Sequence, residues 1–198
     1  MGDVSNRMLQ LENASPQTDL LTHSEFYTRI LQDSKDATKT IYTSNFNPQP
    51  PRRLDDSSEK RYYSEYLALV KKKPSVEFKR IELFHPEKID WLSMLVKSFT
   101  GRKNASLYII MPQGSELKAY SPFIAAQVVD HNVYLVAVAK HYSADGVRDI
   151  LIKQDGVNKM WVDYYENKLL QNSVPAVANG VVCPDWDTIK RIHDGAGR

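Results

Sequence analysis

Four short elements follow one another in the second half of the chain, and their order constrains the fold more than any other feature. Residues 121–130 (SPFIAAQVVD) and 131–140 (HNVYLVAVAK) have the apolar, β-branched composition of strands, and residues 148–153 predict a third strand. Residues 155–170 (DGVNKMWVDYYENKLL) have the periodicity of an amphipathic helix. This region therefore predicts three consecutive strands followed by a long helix.

The first half of the chain alternates between helix and strand patterns. Thr22 and Glu25 form a capping box that begins a helix ending near residue 35, and Leu21 and Phe26 are placed to form a hydrophobic staple. The predicted elements that follow are a strand at 39–44, a helix from 55–58 to 71, a strand at 75–84, a helix from Pro86 to Gly101, and a strand at 105–111. Alternation followed by consecutive strands predicts an α/β fold with a mixed sheet flanked by helices.

The chain of 198 residues predicts one domain with polar ends. Residues 1–18 are interpreted as a polar N-terminal extension, residues 19–171 as the α/β domain, and residues 172–198 as a C-terminal tail. After the closing helix, residues 171–183 are expected to be irregular and residues 185–193 to form a short helix.

Composition excludes several classes of function. The formal net charge of +2 gives no general electrostatic case for nucleic acid or an anionic membrane. Cys183 is the only cysteine, and the five histidines are not spaced as metal ligands, so we expect no metal and no cofactor. No apolar run approaches the roughly 20 residues of a membrane span, and the start lacks the pattern of a signal peptide. We expect a cytoplasmic protein.

This order of elements resembles one half of the phospholipase D superfamily. The resemblance rests on the helix entering KTIYTS, the Tyr-rich helix before VEFKRIEL, the strand ending in Asp130 and the closing helix WVDYYENKLL. Active members carry a His-x-Lys-x4-Asp signature, in which histidine attacks phosphorus and lysine stabilises the phosphate oxygens. With Asp130 as the family aspartate, Phe123 stands where the histidine belongs and Ala125 where the lysine belongs. Because covalent catalysis needs that nucleophile, the resemblance implies a degenerate domain with no catalytic residue.

Such a domain is expected to act as a binding, sensing or protein-interaction module for a small ligand or a protein partner, and the resemblance also implies homodimerisation. The competing class is a phosphodiester-cleaving enzyme, a nuclease or phosphohydrolase, with an atypical site at Asp130, His131 or His141. Against this, Asp130 and His131 are adjacent on the chain, and neighbouring strand residues face opposite sides of a sheet.

Four residues are candidate ligand contacts: Ser44, Asn45, Arg80 and Asp130. Ser44 and Asn45 end a strand at an edge where open α/β sheets bind ligands, although such residues also begin ordinary turns. Alternation places Arg80 on the same strand face as Phe78, whereas the apolar residues that follow are equally compatible with a bulge there.

A third class is a nucleic-acid or nucleoprotein partner that uses the long loop 45–61. Arg52 and Arg53 in that loop, together with Lys71–Lys73, are suited to neutralising phosphates. Acidic residues in the same loop offset that charge, and a solvated helix end is the simpler explanation of the lysines.

Overall fold

Nine strands and five α-helices form the part of the chain that the computed structural model describes, residues 18–48, 50, 57–111, 123–137, 149–153 and 155–196. The strands are β1 (Thr18–Leu21), β2 (Thr40–Asn45), β3 (Glu77–Leu83), β4 (Ala105–Ile110), β5 (Phe123–Val129), β6 (Asn132–Ala137), β7 (Asp149–Lys153), β8 (Val174–Ala178) and β9 (Val181–Val182). The helices are α1 (His23–Asp36), α2 (Ser57–Lys72), α3 (Ile89–Phe99), α4 (Asp155–Tyr164) and α5 (Pro184–Ala196). A short 3-10 helix, Pro86–Lys88, precedes α3, and α4 continues through a π-turn at Tyr165–Leu169.

All nine strands belong to one sheet in the order β1-β7-β6-β5-β2-β3-β4-β8-β9. The three central strands β2, β3 and β4 run parallel, and every other pairing is antiparallel. The prediction of a mixed sheet flanked by helices is therefore confirmed. The parallel strands are joined by α2 and α3, as such connections require.

Helices cover both faces of the sheet, which explains why β3 is apolar in both phases. The first face packs against α1, α2, α3 and α5, and its core includes Phe26, Tyr66, Phe78 and Leu92. The second face packs against α4 and its π-turn, and its core includes Ile81 and Leu83. Because both faces are buried, the apolar residues of β3 do not keep to one phase, and Phe78 faces the first core whereas Ile81 and Leu83 face the second.

The predicted capping box at the start of α1 is confirmed. The backbone amide of Thr22 donates to the Glu25 carboxylate at 2.9 Å, and the backbone amide of Glu25 donates to the Thr22 hydroxyl at 3.3 Å. Leu21 and Phe26, on either side of the cap, are both buried. Local sequence chemistry thus fixes where the first helix begins.

The prediction of an irregular segment at 171–183 is wrong. β8 pairs with β4, and β9 extends the same sheet, so this segment forms one edge of the domain. Pro175 in β8 pairs with Tyr108 of β4 next to a register shift, where a residue without a backbone N–H is tolerated. The proline and the Asn179–Gly180 turn are typical of loops, and only pairing with β4 makes this stretch a strand.

The other edge of the sheet is a strand at which no element was predicted from the sequence. Thr18–Leu21 forms β1, which pairs with β7 along all four of its residues. Within the described residues, no helix is long and apolar enough to cross a membrane.

Candidate functional site

A buried arginine in the middle of the sheet is the centre of the candidate site. β3 pairs with β2 and β4 without a register shift, so a bulge at Arg80 is excluded. The Arg80 side chain lies on the first face between Phe78 and Glu82, and the residue is 1% exposed. The structure therefore selects the alternation that the sequence had left open.

Arg80 belongs to a triad of buried charges with Glu82 and Lys88. Its Nε and Nη2 donate to Glu82 Oε1 at 2.7 and 2.6 Å. Lys88 Nζ donates to Glu82 Oε2 at 2.5 Å and to the Asn47 carbonyl at 3.0 Å. Glu82 and Lys88 are both 0% exposed. The triad places two cations and one anion inside the protein, so it carries an excess positive charge.

Aromatic rings surround the guanidinium. The Arg80 Cζ lies 5.9, 5.3 and 5.7 Å from the ring centroids of Tyr63, Tyr66 and Trp91. The Trp91 indole N–H donates to Glu82 Oε1 at 3.3 Å. These rings provide cation–π contacts in place of the water that the guanidinium loses on burial.

The charged state of the triad follows from its contacts. Burial acts to raise the pKa of the Glu82 carboxyl, but the charges of Lys88 and Arg80 and their hydrogen bonds outweigh burial and hold that pKa below its ordinary value. Burial acts to lower the pKa of Arg80, and the Glu82 carboxylate reverses that effect and raises it. The lowered pKa of Glu82 and the raised pKa of Arg80 both favour an ionised pair.

A second polar group, centred on Gln127 of β5, lies beside the triad. The Tyr62 hydroxyl donates to Gln127 Oε1, and the Thr43 hydroxyl donates to the same atom at 3.2 Å. Gln127 Nε2 donates to the Ser34 hydroxyl at 3.1 Å. Burial raises the pKa of Tyr62 well above its ordinary value, so the phenol remains a neutral donor. These contacts tie β2 and β5 to helices α1 and α2.

A cavity of about 30 Å³ lies between the triad and the Gln127 group. Its polar lining is Arg80, Asn45, Thr43 and Gln127, and its remaining walls are mostly apolar and aromatic side chains from Phe26, Tyr27, Ile30, Tyr62, Tyr63, Ala125, Ala126, Tyr134 and Val136. A volume of this size holds about two water-sized atoms.

Two buried donors near the cavity are unsatisfied. Among the described residues, Arg80 Nη1 and the Tyr66 hydroxyl have no hydrogen-bond partner. Buried polar atoms are normally paired, because an unpaired donor pays the full cost of leaving water. An orphaned guanidinium nitrogen in a residue that lines a cavity therefore indicates a place for an acceptor atom.

The structure brings two of the four candidate ligand residues together. Asn45 lines the cavity with Arg80, and its Oδ1 accepts from the Asn47 amide at 3.0 Å, which leaves its amide group as a donor. Ser44 points to the opposite face, where it is 2% exposed and its hydroxyl lies 3.5 Å from the Ala126 carbonyl. Ser44 therefore does not join Asn45 and Arg80.

Asp130 lies at the other end of β2 from Asn45. It occupies the β5–β6 turn with a φ of 47°, a left-handed conformation that aspartate tolerates. Its carboxylate accepts backbone hydrogen bonds from Thr38, Lys39 and Thr40 at 2.8, 2.9 and 2.9 Å. Burial acts to raise the pKa of Asp130, but these hydrogen bonds lower it. Asp130 thus holds the start of β2 and is separated from the cavity.

The structure describes only some of the remaining candidate residues. Ala125 lines the cavity and pairs with Asn45 across β2 and β5, and Phe123 begins β5, although its side chain lies outside the described residues. Arg52, Arg53 and His141 also lie outside the described residues. No group of three or more His, Cys, Asp or Glu side chains in the described part of the chain is arranged to hold a metal ion.

Sequence reasoning missed Glu82, Lys88 and Gln127. Glu82 follows the same alternation that places Arg80, so a second charge at that spacing was an available signal. Lys88 and Gln127 gave no comparable signal, because only the packing of the 3-10 helix and of β5 brings them to Arg80.

Comparison with known proteins finds solved structures whose fold is similar to that of this chain. No family model and no curated protein matches the chain. Among solved structures, phosphatidylserine synthase from Haemophilus influenzae Rd KW20 is 15% identical, with a TM-score of 0.60 over 98% of this chain and 48% of that one. TrmBL2, an archaeal chromatin protein whose structure shows a mode of DNA binding, is 9% identical, with a TM-score of 0.56 over 87% of this chain and 61% of that one. NucT from Helicobacter pylori is 11% identical, with a TM-score of 0.44 over 80% of this chain and 96% of that one.

The chain spans about half to three fifths of the length of the first two of these proteins. Phosphatidylserine synthase, one of these solved structures, has a phospholipase D-like fold. The comparisons therefore confirm a phospholipase D-like α/β fold, with helices on both sides of a mixed sheet.

Proposed function

We propose that this chain is a phospholipase D-like module that binds an oxyanion, one or two of whose oxygens enter the Arg80 cavity, and does not hydrolyse phosphodiesters. The observation that carries the proposal is the orphaned Nη1 of Arg80, which belongs to a fully buried guanidinium lining the cavity. A carboxylate or phosphoryl oxygen is the acceptor that best satisfies a charged donor in such an environment.

The charges around the cavity support an anion rather than a neutral ligand. Arg80 and Lys88 are both bonded to the single carboxylate of Glu82, so one buried positive charge has no counter-charge within the triad. The amide group of Asn45 supplies a second donor on the cavity wall. An oxyanion would receive both donors and neutralise the excess charge.

The absence of hydrolysis is inferred from the residues at the signature positions. Ala125 lines the cavity at the position that the resemblance assigns to the catalytic lysine, and a methyl group cannot stabilise phosphate oxygens. Phe123 occupies the position assigned to the nucleophile, and a phenyl ring cannot attack phosphorus.

Oxyanion binding is tested by isothermal titration calorimetry with acetate and with inorganic phosphate. Ala125→Leu fills the cavity while leaving the triad intact, and Asn45→Ala removes one donor. We expect each variant to weaken binding of the preferred anion at least tenfold. Ser44→Ala is the matched control, because Ser44 is adjacent in sequence but lies on the opposite face, and it should bind as the wild type does. Undiminished binding by Ala125→Leu, or no binding of either anion by the wild type, would contradict the proposal.

Hydrolysis is tested separately with bis(p-nitrophenyl) phosphate. We expect no activity above the rate of the uncatalysed reaction. An activity that co-purifies with the protein and is abolished by Asp130→Ala or by EDTA would instead support the atypical enzyme considered from the sequence.

A further inference from the structure

The end of the sheet at which β2, β3 and β4 begin carries an unusual concentration of positive charge. Three segments reach this end, residues 37–39, 71–76 and 100–104, and we refer to them together as the basic edge. They contain six cations and no acid: Lys39, Lys71, Lys72, Lys73, Arg102 and Lys103. The chain as a whole has a formal charge of only +2, so its cations are strongly concentrated here.

The three segments are adjacent because the three strands are parallel and in register. Thr40 pairs with Glu77, and Phe78 pairs with Ala105, so the residues just before these strands lie side by side. With about 4.8 Å between neighbouring strands, the segments before β2 and β4 are separated by about 10 Å. One strand of a nucleic-acid duplex carries about three phosphates over that length.

Hydrogen bonds make the basic edge a rigid unit. Lys73 Nζ donates to the Ala37 carbonyl at 2.6 Å, which joins the first segment to the second. The Asn104 side-chain amide donates to the carbonyls of Lys73 and Val76 at 3.0 and 2.9 Å, which joins the second to the third. The cations are therefore attached to backbone segments that are joined to one another, so binding requires ordering of the lysine side chains and not of the segments.

Four of the cations are available to solvent. Lys39, Lys71, Lys72 and Lys103 are exposed, whereas Lys73 and Arg102 are half-buried. Lys71 and Lys72 lie in the last turn of α2, where lysine also offsets the helix dipole. That explanation does not extend to Lys39 and Lys103, which lie in the segments between a helix and the next strand.

Three acids among the described residues border the basic edge, and each of them accepts hydrogen bonds within the protein. Asp130 is bonded to the backbone of residues 38–40, and Glu77 is bonded to the Tyr42 hydroxyl and to Lys79 on the second face. The third, Asp36, accepts from the Gln32 amide at the end of α1. With six cations in its three segments and these three acids beside them, the basic edge carries a net positive charge.

We propose that the basic edge binds the phosphate backbone of nucleic acid without reading its sequence. Exposed lysines on three adjacent segments, spread over about 10 Å, present several cations to a regular polyanion. This inference does not rest on the proposed oxyanion function, because the Arg80 cavity lies further along the same strands and on one face.

The test is fluorescence anisotropy with a labelled 20-base-pair DNA duplex at 50 to 200 mM salt. With three or four phosphate contacts, we expect the logarithm of the binding constant to fall with the logarithm of salt at a slope of about −3 to −4. The variant Lys39→Ala/Lys72→Ala/Lys103→Ala removes one exposed lysine from each segment, and its slope should be smaller in magnitude by about 3.

The matched control is Lys159→Ala/Lys168→Ala/Lys190→Ala, which makes the same change in net charge at exposed positions on and after α4 and on α5. The control should bind DNA as the wild type does at every salt concentration. Equal weakening by both triple variants would show that only net charge matters, and it would overturn the proposal. Binding to vesicles containing phosphatidylserine, without binding to DNA, would likewise overturn it in favour of a membrane surface.

Discussion

Neutralising Glu82 is the most informative perturbation of this protein. The substitution Glu82→Gln preserves the shape of the side chain and removes the one anion that serves two buried cations. Arg80 Nη2 and Lys88 Nζ lie 2.6 and 2.5 Å from the Glu82 oxygens, and all three residues are at most 1% exposed. Without the carboxylate, both cations remain buried with no counter-charge, because neither can reach water without opening the core.

The expected cost is large for a single isosteric change. Breaking a buried ion pair by removing one partner costs about 3–5 kcal/mol of the free energy of unfolding. For a protein of this length, that corresponds to a fall in the melting temperature of roughly 6–20 °C. Urea denaturation followed by tryptophan fluorescence should show a lower midpoint with an unchanged slope, because the surface exposed on unfolding is the same.

The pH dependence gives an independent readout of the same interaction. The folded pKa of Glu82 lies below its ordinary value, so the carboxylate contributes stability above the unfolded pKa of about 4.3 and loses it as the pH falls through the folded value. The difference in unfolding free energy between wild type and Glu82→Gln should therefore be constant near neutral pH and shrink below about pH 4.

Glu65→Gln is the matched control, because Glu65 also bonds two cations, Lys35 and Arg61, but on the surface. Exposed ion pairs contribute about 0.2–1 kcal/mol, so this variant should stay close to the wild type. If Glu82→Gln costs no more than Glu65→Gln, the triad is not charged in the way its contacts indicate, and the argument for an excess positive charge at the cavity fails with it.

Three further predictions concern parts of the domain outside the Arg80 cavity. Asp130→Asn weakens the hydrogen bonds that hold the start of β2 and should lower the free energy of unfolding by about 1–2 kcal/mol at neutral pH. Because the folded pKa of Asp130 is lowered, the difference from the wild type should diminish as the pH falls below about 4. Denaturation at several pH values measures this. Gly180→Ala should lower the melting temperature more than Gly101→Ala does. Both glycines have a positive φ, 80° and 77°, but only at Gly180 would a Cβ lie 2.6 Å from the Arg102 backbone. Equal melting temperatures of the two variants would refute this. Removing residues 173–198 takes β8 and β9 from the sheet and α5 from its first face, and it exposes the edge of β4. The shortened chain should therefore lose its near-ultraviolet circular dichroism, whereas a folded product would show that these elements are dispensable.

Local patterns in the sequence determined most of the secondary structure. The capping box at Thr22 and Glu25 fixed the start of α1 because its two hydrogen bonds involve only neighbouring residues. The β-branched and aromatic runs that became β2, β3 and β4 were recognisable because their residues are buried on both faces. The same patterns, with their order along the chain, were sufficient to predict an α/β fold with a mixed sheet.

The edges of the sheet could not be predicted in the same way. β8 contains a proline and precedes an Asn-Gly turn, so its sequence favours a loop, and β1 is only four residues long. Each becomes a strand because a longer neighbour, β4 or β7, offers unpaired backbone groups to it. Such pairing is a non-local interaction, and no short window of sequence contains it.

The candidate site likewise combines residues that the sequence indicated with contacts that only the folded structure creates. Strand alternation made Arg80 a candidate, and the end of β2 made Asn45 one, because both arguments concern a single strand. The ion triad, however, joins a strand to a 3-10 helix, and the basic edge joins three segments that are 24 or more positions apart in sequence. The sequence thus determined which side chains are available, and the tertiary structure decided which of them meet, because electrostatic and hydrogen-bond contacts depend on distances of a few ångströms that only the packed sheet and helices set.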